Sequence, residues 1–357
     1  MSVRKVGRLE LGSGESALVS GRGHLRVERG IVEILGGFFV EGSSAKIRPG
    51  KQFPVYSPDS QASVATDGSL SFSVMKGDPI PRSWRTLPDA FLTKSLPKLV
   101  ALGPTDSGKS ALTTYLVNVS LAISTRVGVI DGDPGQGDIG PPTCVSGAVA
   151  RSKLIDLREL RPAVIKFTGV TSPSVCRKGC VSAISSVWSN ILGLGVDFAF
   201  LNTDGWVDDG GLEHKLMLIK EINPDLVIAL GLGDRCEEVR QATGASVICV
   251  DIPRRVLVRS PSTRYRARVS NILRHLRRTT RITLDNSAID RSQHPEPGTV
   301  IALLSDGRFK SLGILDSLDG SGRTWAYCGT DSFDEVVVGR VSLPEVLSLL
   351  KRKELKI

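Results

Sequence analysis

The stretch Ala101–Leu116, "ALGPTDSGKSALTTYL", spells G-x-x-x-x-G-K-S from Gly103 to Ser110, between an apolar strand-like run and a helix-like one. Backbone N–H groups of a glycine-permitted loop point inward there and, with the helix N-terminus behind them, form an anion cradle. In such a loop Lys109 neutralises the outer phosphates of a nucleotide and the Ser110 hydroxyl ligates Mg2+. The loop therefore predicts a nucleotide-binding α/β domain. It leaves open where a phosphate would go.

Working outward, apolar runs alternate with helical stretches from "KLVAL" at Lys98 onward: "RVGVID", "AVIKFTG", "VDFAFLNTDG", "PDLVIALG" and "ASVICVD". Buried parallel strands read as such Val/Ile/Leu runs, so a doubly wound parallel sheet is expected. Ligands bind such sheets at the carboxyl ends of the strands. Residues 1–85 instead alternate apolar and polar positions between frequent Gly and Pro, which predicts an N-terminal β-sandwich. The Pro-rich "KGDPIPRSWRTLPD" reads as a linker or a strap into the next domain. Strand-like text returns after Asn286, giving three expected domains: 1–85, a P-loop domain over 86–285, and a small β-rich domain over 286–357.

Net charge is +9 with a pI near 9.4, a balance suited to an anionic partner such as nucleic acid. Six cysteines form no dense framework, which predicts free thiols and an intracellular, cytoplasmic protein, nuclear if the source is eukaryotic. "CRKGC" (176–180) lacks a second ligand pair at zinc-like spacing. No apolar run approaches the roughly 20 residues that span a bilayer, so no membrane partner is expected.

Four further segments bear on chemistry. In "VGVIDGDPGQGDIGPP", Asp131 and Asp133 follow a strand, where a carboxylate holds Mg2+ or accepts a proton from a nucleophile. Asp and Gly are also ordinary turn residues, but the phosphate loop upstream favours the functional reading. Arg254–Arg281 contains ten arginines and no acid. It is either a solvated helix face or an arginine-bearing lid, with Arg259, Arg264 and Arg268 near a Ser-Pro turn. Trp206, in "NTDGWVDDGG", is a packing residue or a stacking platform for a base. "FTGVTSPS" (167–174) is a turn or a set of donors for a substrate phosphate. No N/T-K-x-D element follows the phosphate loop, so ATP is favoured over a guanine nucleotide.

Together "GPTDSGKS", "DGDPGQG", "GVTSP", "NTDGW" and "VRSPSTRYRAR" resemble the P-loop polynucleotide 5'-hydroxyl kinase family, which includes the kinase subunit of mRNA-cleavage and tRNA-splicing complexes and its archaeal relatives. The resemblance implies ATP and Mg2+ held by Gly103, Lys109 and Ser110, with Thr105, Asp106, Ser107, Gly108 and Ala111 completing the cradle. It implies Asp133 as the base for the 5'-hydroxyl, and Asp131 and Gln136 at the metal and its water. Thr171 and Trp206 would grip the terminal nucleotide, Arg259 and Arg264 would clamp the transferring phosphate, and Glu15 and Lys51 would hold the adenine. The acceptor is then the 5'-hydroxyl of RNA, or of DNA, with RNA-processing proteins as partners. Two alternatives remain: an ATP-holding scaffold subunit without turnover, and a small-metabolite kinase.

Overall fold

The computed structural model describes residues 7–318 and 323–354. Its N-terminal part is one antiparallel sheet of β1 (Gly7–Leu11), β2 (Glu15–Arg29), β3 (Ile31–Ile34), β4 (Gly37–Val40), β5 (Ser44–Ile47), β6 (Gln52–Ser57) and β7 (Ala62–Lys76). Period-two alternation turns Leu25 and Val27 inward and His24, Arg26 and Glu28 outward. β2 pairs with β6 through Glu15–Ser20 and with β5 through Gly23–Arg26, so it changes partner midway. Gly21 permits that change: its φ is +114°, and a Cβ there would meet the Ser69 carbonyl at 2.1 Å. The sheet thereby wraps one core that includes Leu9, Val19, Val27, Phe53 and Val64.

The central part begins with the short helices α1 (Arg82–Arg85) and α2 (Leu87–Phe91). It continues through β8 (Lys98–Leu102), α3 (Lys109–Ser120), β9 (Val127–Gly132), β10 (Cys144–Ala150), β11 (Val164–Phe167), α4 (Arg177–Gly193), β12 (Phe198–Thr203), α5 (Gly211–Ile222), β13 (Leu226–Leu230), α6 (Arg235–Thr243), β14 (Val247–Val250) and α7 (Pro261–His275). Strand order is β11-β10-β9-β12-β8-β13-β14, and the last five of these are mutually parallel. Helices cover both faces: Leu112 and Leu116 of α3 pack on one, and Ile184, Leu218 and Val239 of α4, α5 and α6 on the other. The Pro-rich strap is part of this core, with Trp84, Leu87 and Phe91 buried against Leu99 and Leu112.

The structure corrects two readings of the sequence and adds one strand that the sequence reading did not contain. "AVIKFTG" is not a buried parallel strand: β11 runs antiparallel to β10 and is only half-buried, because no crossover helix joins the two. β10, "CVSGAVA", shows no Val/Ile run, yet it lies buried antiparallel to β9. Small residues are required there, since a Cβ on Gly147 would stand 2.5 Å from Ile191 Cγ1. Cys236 of α6 and Cys249 of β14 are disulfide-bonded, against the expectation of free thiols, while Cys144, Cys176, Cys180 and Cys328 are free. The two cysteines, 13 positions apart, come together because α6 packs back beside β14.

The third sheet, β15-β18-β17-β16-β19, is antiparallel and comprises β15 (Thr280–Asp285), β16 (Thr299–Ser305), β17 (Arg308–Leu318), β18 (Arg323–Cys328) and β19 (Glu335–Ser342), followed by α8 (Pro344–Glu354). Asp306 and Gly307, both at positive φ, make the two-residue turn between β16 and β17. β15 precedes the expected boundary at 286 and pairs with β18. α7 bridges the two parts: Val269, Ile272 and Leu276 pack in one cluster with Cys144, Ile314 and Tyr327. Among the described residues, no helix is long and apolar enough to cross a membrane.

Candidate active site

The carboxyl ends of β8, β9, β12 and β14 open on one cavity of about 320 Å3. The phosphate loop forms its floor. Asp106 at φ +58° and Gly108 at φ +100° turn the chain into α3, whose first residue is Lys109. Gly205 lets the turn after β12 lie against this loop, since a Cβ there would stand 2.5 Å from Thr105 Cα. Lys109 Nζ donates to the Gly103 and Pro104 carbonyls at 2.8 and 2.7 Å. Burial lowers its pKa to about 8, against the opposing pull of Asp133. Ser107 Oγ is buried without a partner, so the loop holds a polar group that a bound phosphate would satisfy.

The two acids of the second motif have different surroundings. Asp131 is 1% exposed, and its Oδ2 accepts from the amides of Asp138 and Ile139 at 2.5 and 3.1 Å. Asn202 of β12 donates to Asp131 Oδ1 and to Ser110 Oγ, each at 3.4 Å. Burial and the nearby Asp138 and Asp133 raise the Asp131 pKa. Asp133 lines the cavity and uses a single oxygen for structure, Oδ1 accepting from the Gly135 and Gln136 amides at 2.8 and 2.9 Å. Its Oδ2 has no hydrogen-bond partner among the described residues. Burial first, then Asp204, raises its pKa as well.

The arginine segment, the lid of the sequence reading, lines the cavity with Arg255, Arg259, Arg264 and Arg268. Arg259 grips Asp106 of the phosphate loop three times: Nε and Nη2 donate to Oδ1 at 2.9 and 2.7 Å, and the backbone N–H donates to Oδ2 at 2.9 Å. Ser260 then caps α7 by accepting from the Thr263 amide. Arg264 donates to the Arg259 carbonyl at 2.5 Å and lies 3.5 Å from Asp106. Gln136 accepts from Arg259 Nη1 at 3.4 Å and donates to the Arg264 carbonyl at 3.3 Å. The side chain expected at the metal is thus bonded to the lid.

Thr171 and Trp206 also line the cavity, Thr171 beside Gly135. Trp206 stacks on His214 at 5.9 Å between centroids, and the Arg177 guanidinium stands 4.9 Å over its ring. Its backbone N–H donates to Asp204 Oδ1 at 2.9 Å, while Asp204 Oδ2 is paired with the fully buried Lys215. His214 is buried with neither ring nitrogen hydrogen-bonded, and burial with Lys215 lowers its pKa to about 4. The unfolded chain then binds a proton that the folded state refuses, so stability falls as pH drops from about 6.5 toward 4. Between pH 7 and 5 this residue is expected to remove about 2 kcal/mol, read by urea unfolding at the two pH values. His214→Leu should flatten that part of the slope; an unchanged slope would reject the assignment.

Of the two expected adenine contacts, Lys51 alone reaches the cavity. Glu15 bonds the Gly12 amide at 2.9 Å and is not among the cavity-lining residues. Lys51 does line the cavity, but its Nζ is held by Asp138 and Asp156 at 2.6 and 3.0 Å. The N-terminal domain instead turns Leu18, Gln52 and Pro54 to the cavity, facing Ile80, Pro253 and Leu257. Asn202, Asp204 and Lys215 were missed by sequence reading. The first two stand in "NTDGW", where only the tryptophan drew notice, and Lys215 has no local signal.

Residues 103–277, which carry the loop, both acids and the lid, match the family model described as the mRNA cleavage and polyadenylation factor CLP1 P-loop. The central domain is therefore similar to the Clp1 P-loop domain. Among curated relatives, a polyribonucleotide 5'-hydroxyl-kinase of Pyrococcus furiosus is 32% identical over 133 residues, 37% of this chain and 37% of that protein. The corresponding kinase of Methanocaldococcus jannaschii is also 32% identical over 133 residues, with the same coverage of each chain. A CLP1 homolog of Arabidopsis thaliana is 29% identical over 190 residues, 48% of this chain and 42% of that one. The matches thus span little more than a third of the length of the archaeal kinases. In fold the likeness is wider: Clp1p solved in complex with Pcf11p superposes with a TM-score of 0.72 over 95% of this chain and 98% of that one, at 13% identity.

Proposed function

We propose that this chain transfers the γ-phosphoryl group of ATP to the 5'-hydroxyl of RNA, and of DNA to the extent that its site accepts a deoxyribose end. The observation that carries the reading is Asp133. One carboxylate oxygen is fixed by two amides and the other is unengaged, in the same cavity as Lys109, Arg264 and Arg268. A carboxylate so held can accept the proton of an attacking hydroxyl while the cations oppose the charge on the transferring group. The archaeal relatives bear the name of that activity.

For ATP, the phosphate loop supplies the amide cradle and the unpartnered Ser107 hydroxyl. Leu18, Pro54, Ile80, Pro253 and Leu257 offer apolar walls to the base, with the Gln52 amide beside them. For Mg2+, Ser110, Asp131 and Asn202 are hard oxygen donors, and Asn202 Oδ1 is buried and unpartnered, which suits a cation that keeps waters and shares phosphate oxygens. When bound, the ion would neutralise charge on the outer phosphates. Thr171 and Trp206 would hold the terminal nucleotide within reach of Asp133, Trp206 by stacking. RNA-processing proteins are the proposed partners, by analogy with the Clp1p complex.

The test is incubation of the protein with labelled ATP, Mg2+ and 5'-hydroxyl RNA or DNA oligonucleotides, with free nucleosides alongside. Label at the oligonucleotide 5' end is expected. ATP binding without any transfer would instead assign a scaffold, and transfer to nucleosides alone would assign a small-molecule kinase.

A further inference from the structure

Three arginines beyond the cavity have no role in the site described so far. α7 leaves the cavity with Arg264 and Arg268 lining it. Asn271 then donates to the Gly137 and Gly140 carbonyls at 3.2 and 3.5 Å, fastening the helix to the acidic loop. Arg274 follows. At 3.6 residues per turn, positions 264, 268, 271 and 274 lie within about 120° of one another around the helix. The other side, Val269, Ile272 and Leu276, is in the core. At 1.5 Å per residue, Arg274 is about 15 Å along the axis from Arg264.

At that far end the N-terminal sheet and the segment after β10 bring further cations. Arg158 donates to the Pro49 carbonyl at 2.9 Å and the Arg48 carbonyl at 3.4 Å, and its charge is matched by Asp156, which is shared with Lys51. Arg48 Nη1 is buried without a partner. The side chains of Arg48, Arg274 and Arg277 make no ion pair or hydrogen bond among the described residues. Burial and the charges of Arg158, Arg48 and Arg277 lower the Arg274 pKa, so these guanidinium groups stand near enough to repel. Asp156, already paired with Arg158 and Lys51, and Glu159 offset only part of this charge, and a surplus of gathered cations is unfavourable until an anion is bound. Guanidinium forks match phosphate geometry better than they match any neutral partner.

We propose that Arg48, Arg274 and Arg277 bind internal phosphates of the acceptor polynucleotide, a few nucleotides 3' of the end that enters the cavity. A polynucleotide rather than an acidic protein segment is favoured because α7 carries Arg264, Arg268 and Arg274 along one side from the phosphoryl-transfer cavity to this cluster. The distance of about 15 Å corresponds to about four stacked nucleotides at 3.4 Å each, or fewer when the strand is extended. The inference rests on the polynucleotide-kinase reading.

The probe is a fluorescent 12-nucleotide RNA that already bears a 5'-phosphate, so that binding is read without turnover. Against wild type, the triple variant Arg48→Ala/Arg274→Ala/Arg277→Ala should bind it about tenfold or more weakly. The slope of log affinity against log salt should shrink by about 2, since each single-strand phosphate contact contributes roughly 0.7. Affinity for a dinucleotide and for ATP should stay within twofold, and the thermal midpoint should be equal or higher because like charges have been removed. Unchanged 12-mer affinity and slope would overturn the proposal, as would equal losses for the dinucleotide and the 12-mer. Polyglutamate competing as well as RNA of the same charge would overturn it in favour of an acidic protein segment. A protein that shows the expected pattern but transfers no phosphate would support this site and reject the kinase reading alone.

Discussion

Asp133→Asn is expected to lower single-turnover phosphoryl transfer to a 5'-hydroxyl RNA by about a thousandfold, within the usual range for removing a positioned general base. The asparagine oxygen can still accept from the Gly135 and Gln136 amides, so the loop keeps its shape. What is lost is the second, unengaged oxygen, replaced by an amide nitrogen that cannot accept a proton. ATP affinity should therefore change by less than about threefold, and the urea midpoint little. Lys109→Ala provides the contrast: its ammonium faces the phosphate loop, so the variant should lose nucleotide affinity together with rate. A transfer rate for Asp133→Asn within tenfold of wild type would remove Asp133 from the role of base.

Lys215→Ala should destabilise the protein by about 3–5 kcal/mol in urea unfolding, the usual result of leaving a buried charge unpaired. Lys215 is fully buried, and Asp204 is 4% exposed beneath the turn that carries Trp206. Asp204 cannot move to water without releasing the Trp206 amide. Replacing both partners, as Asp204→Asn/Lys215→Met, should recover much of the loss, because no uncompensated charge remains. If the single and double variants were equally unstable, the pair would matter through its volume and not its charge. Trp206 fluorescence in the single variant gives a second reading, since the indole loses its backbone anchor.

Much of the central fold was legible because its signals are local. The phosphate loop, the Val/Ile runs and the Gly-rich turns each announce a strand, a bend or a helix start within a few residues. β10 was illegible because its small residues are demanded by α4 packing over Gly147, a neighbour remote in sequence. β11 was misread because direction depends on the connection and not on composition.

The candidate site divides in the same way. The sequence by itself determined that a nucleotide cradle stands after β8, that two acids stand at the carboxyl end of β9, and that arginines follow β14, since each depends on the order of residues along one strand–loop–helix unit. Only the tertiary structure decided which of these side chains are engaged and by what. Arg259 reaches Asp106 across 153 positions, and Lys51 reaches Asp138 across 87. It also separated Asp131, enclosed by amides and Asn202, from Asp133, left with an open oxygen, and set Lys215 under Asp204. Burial and charge pairing are properties of the packed neighbourhood, which strand order creates and local sequence does not specify.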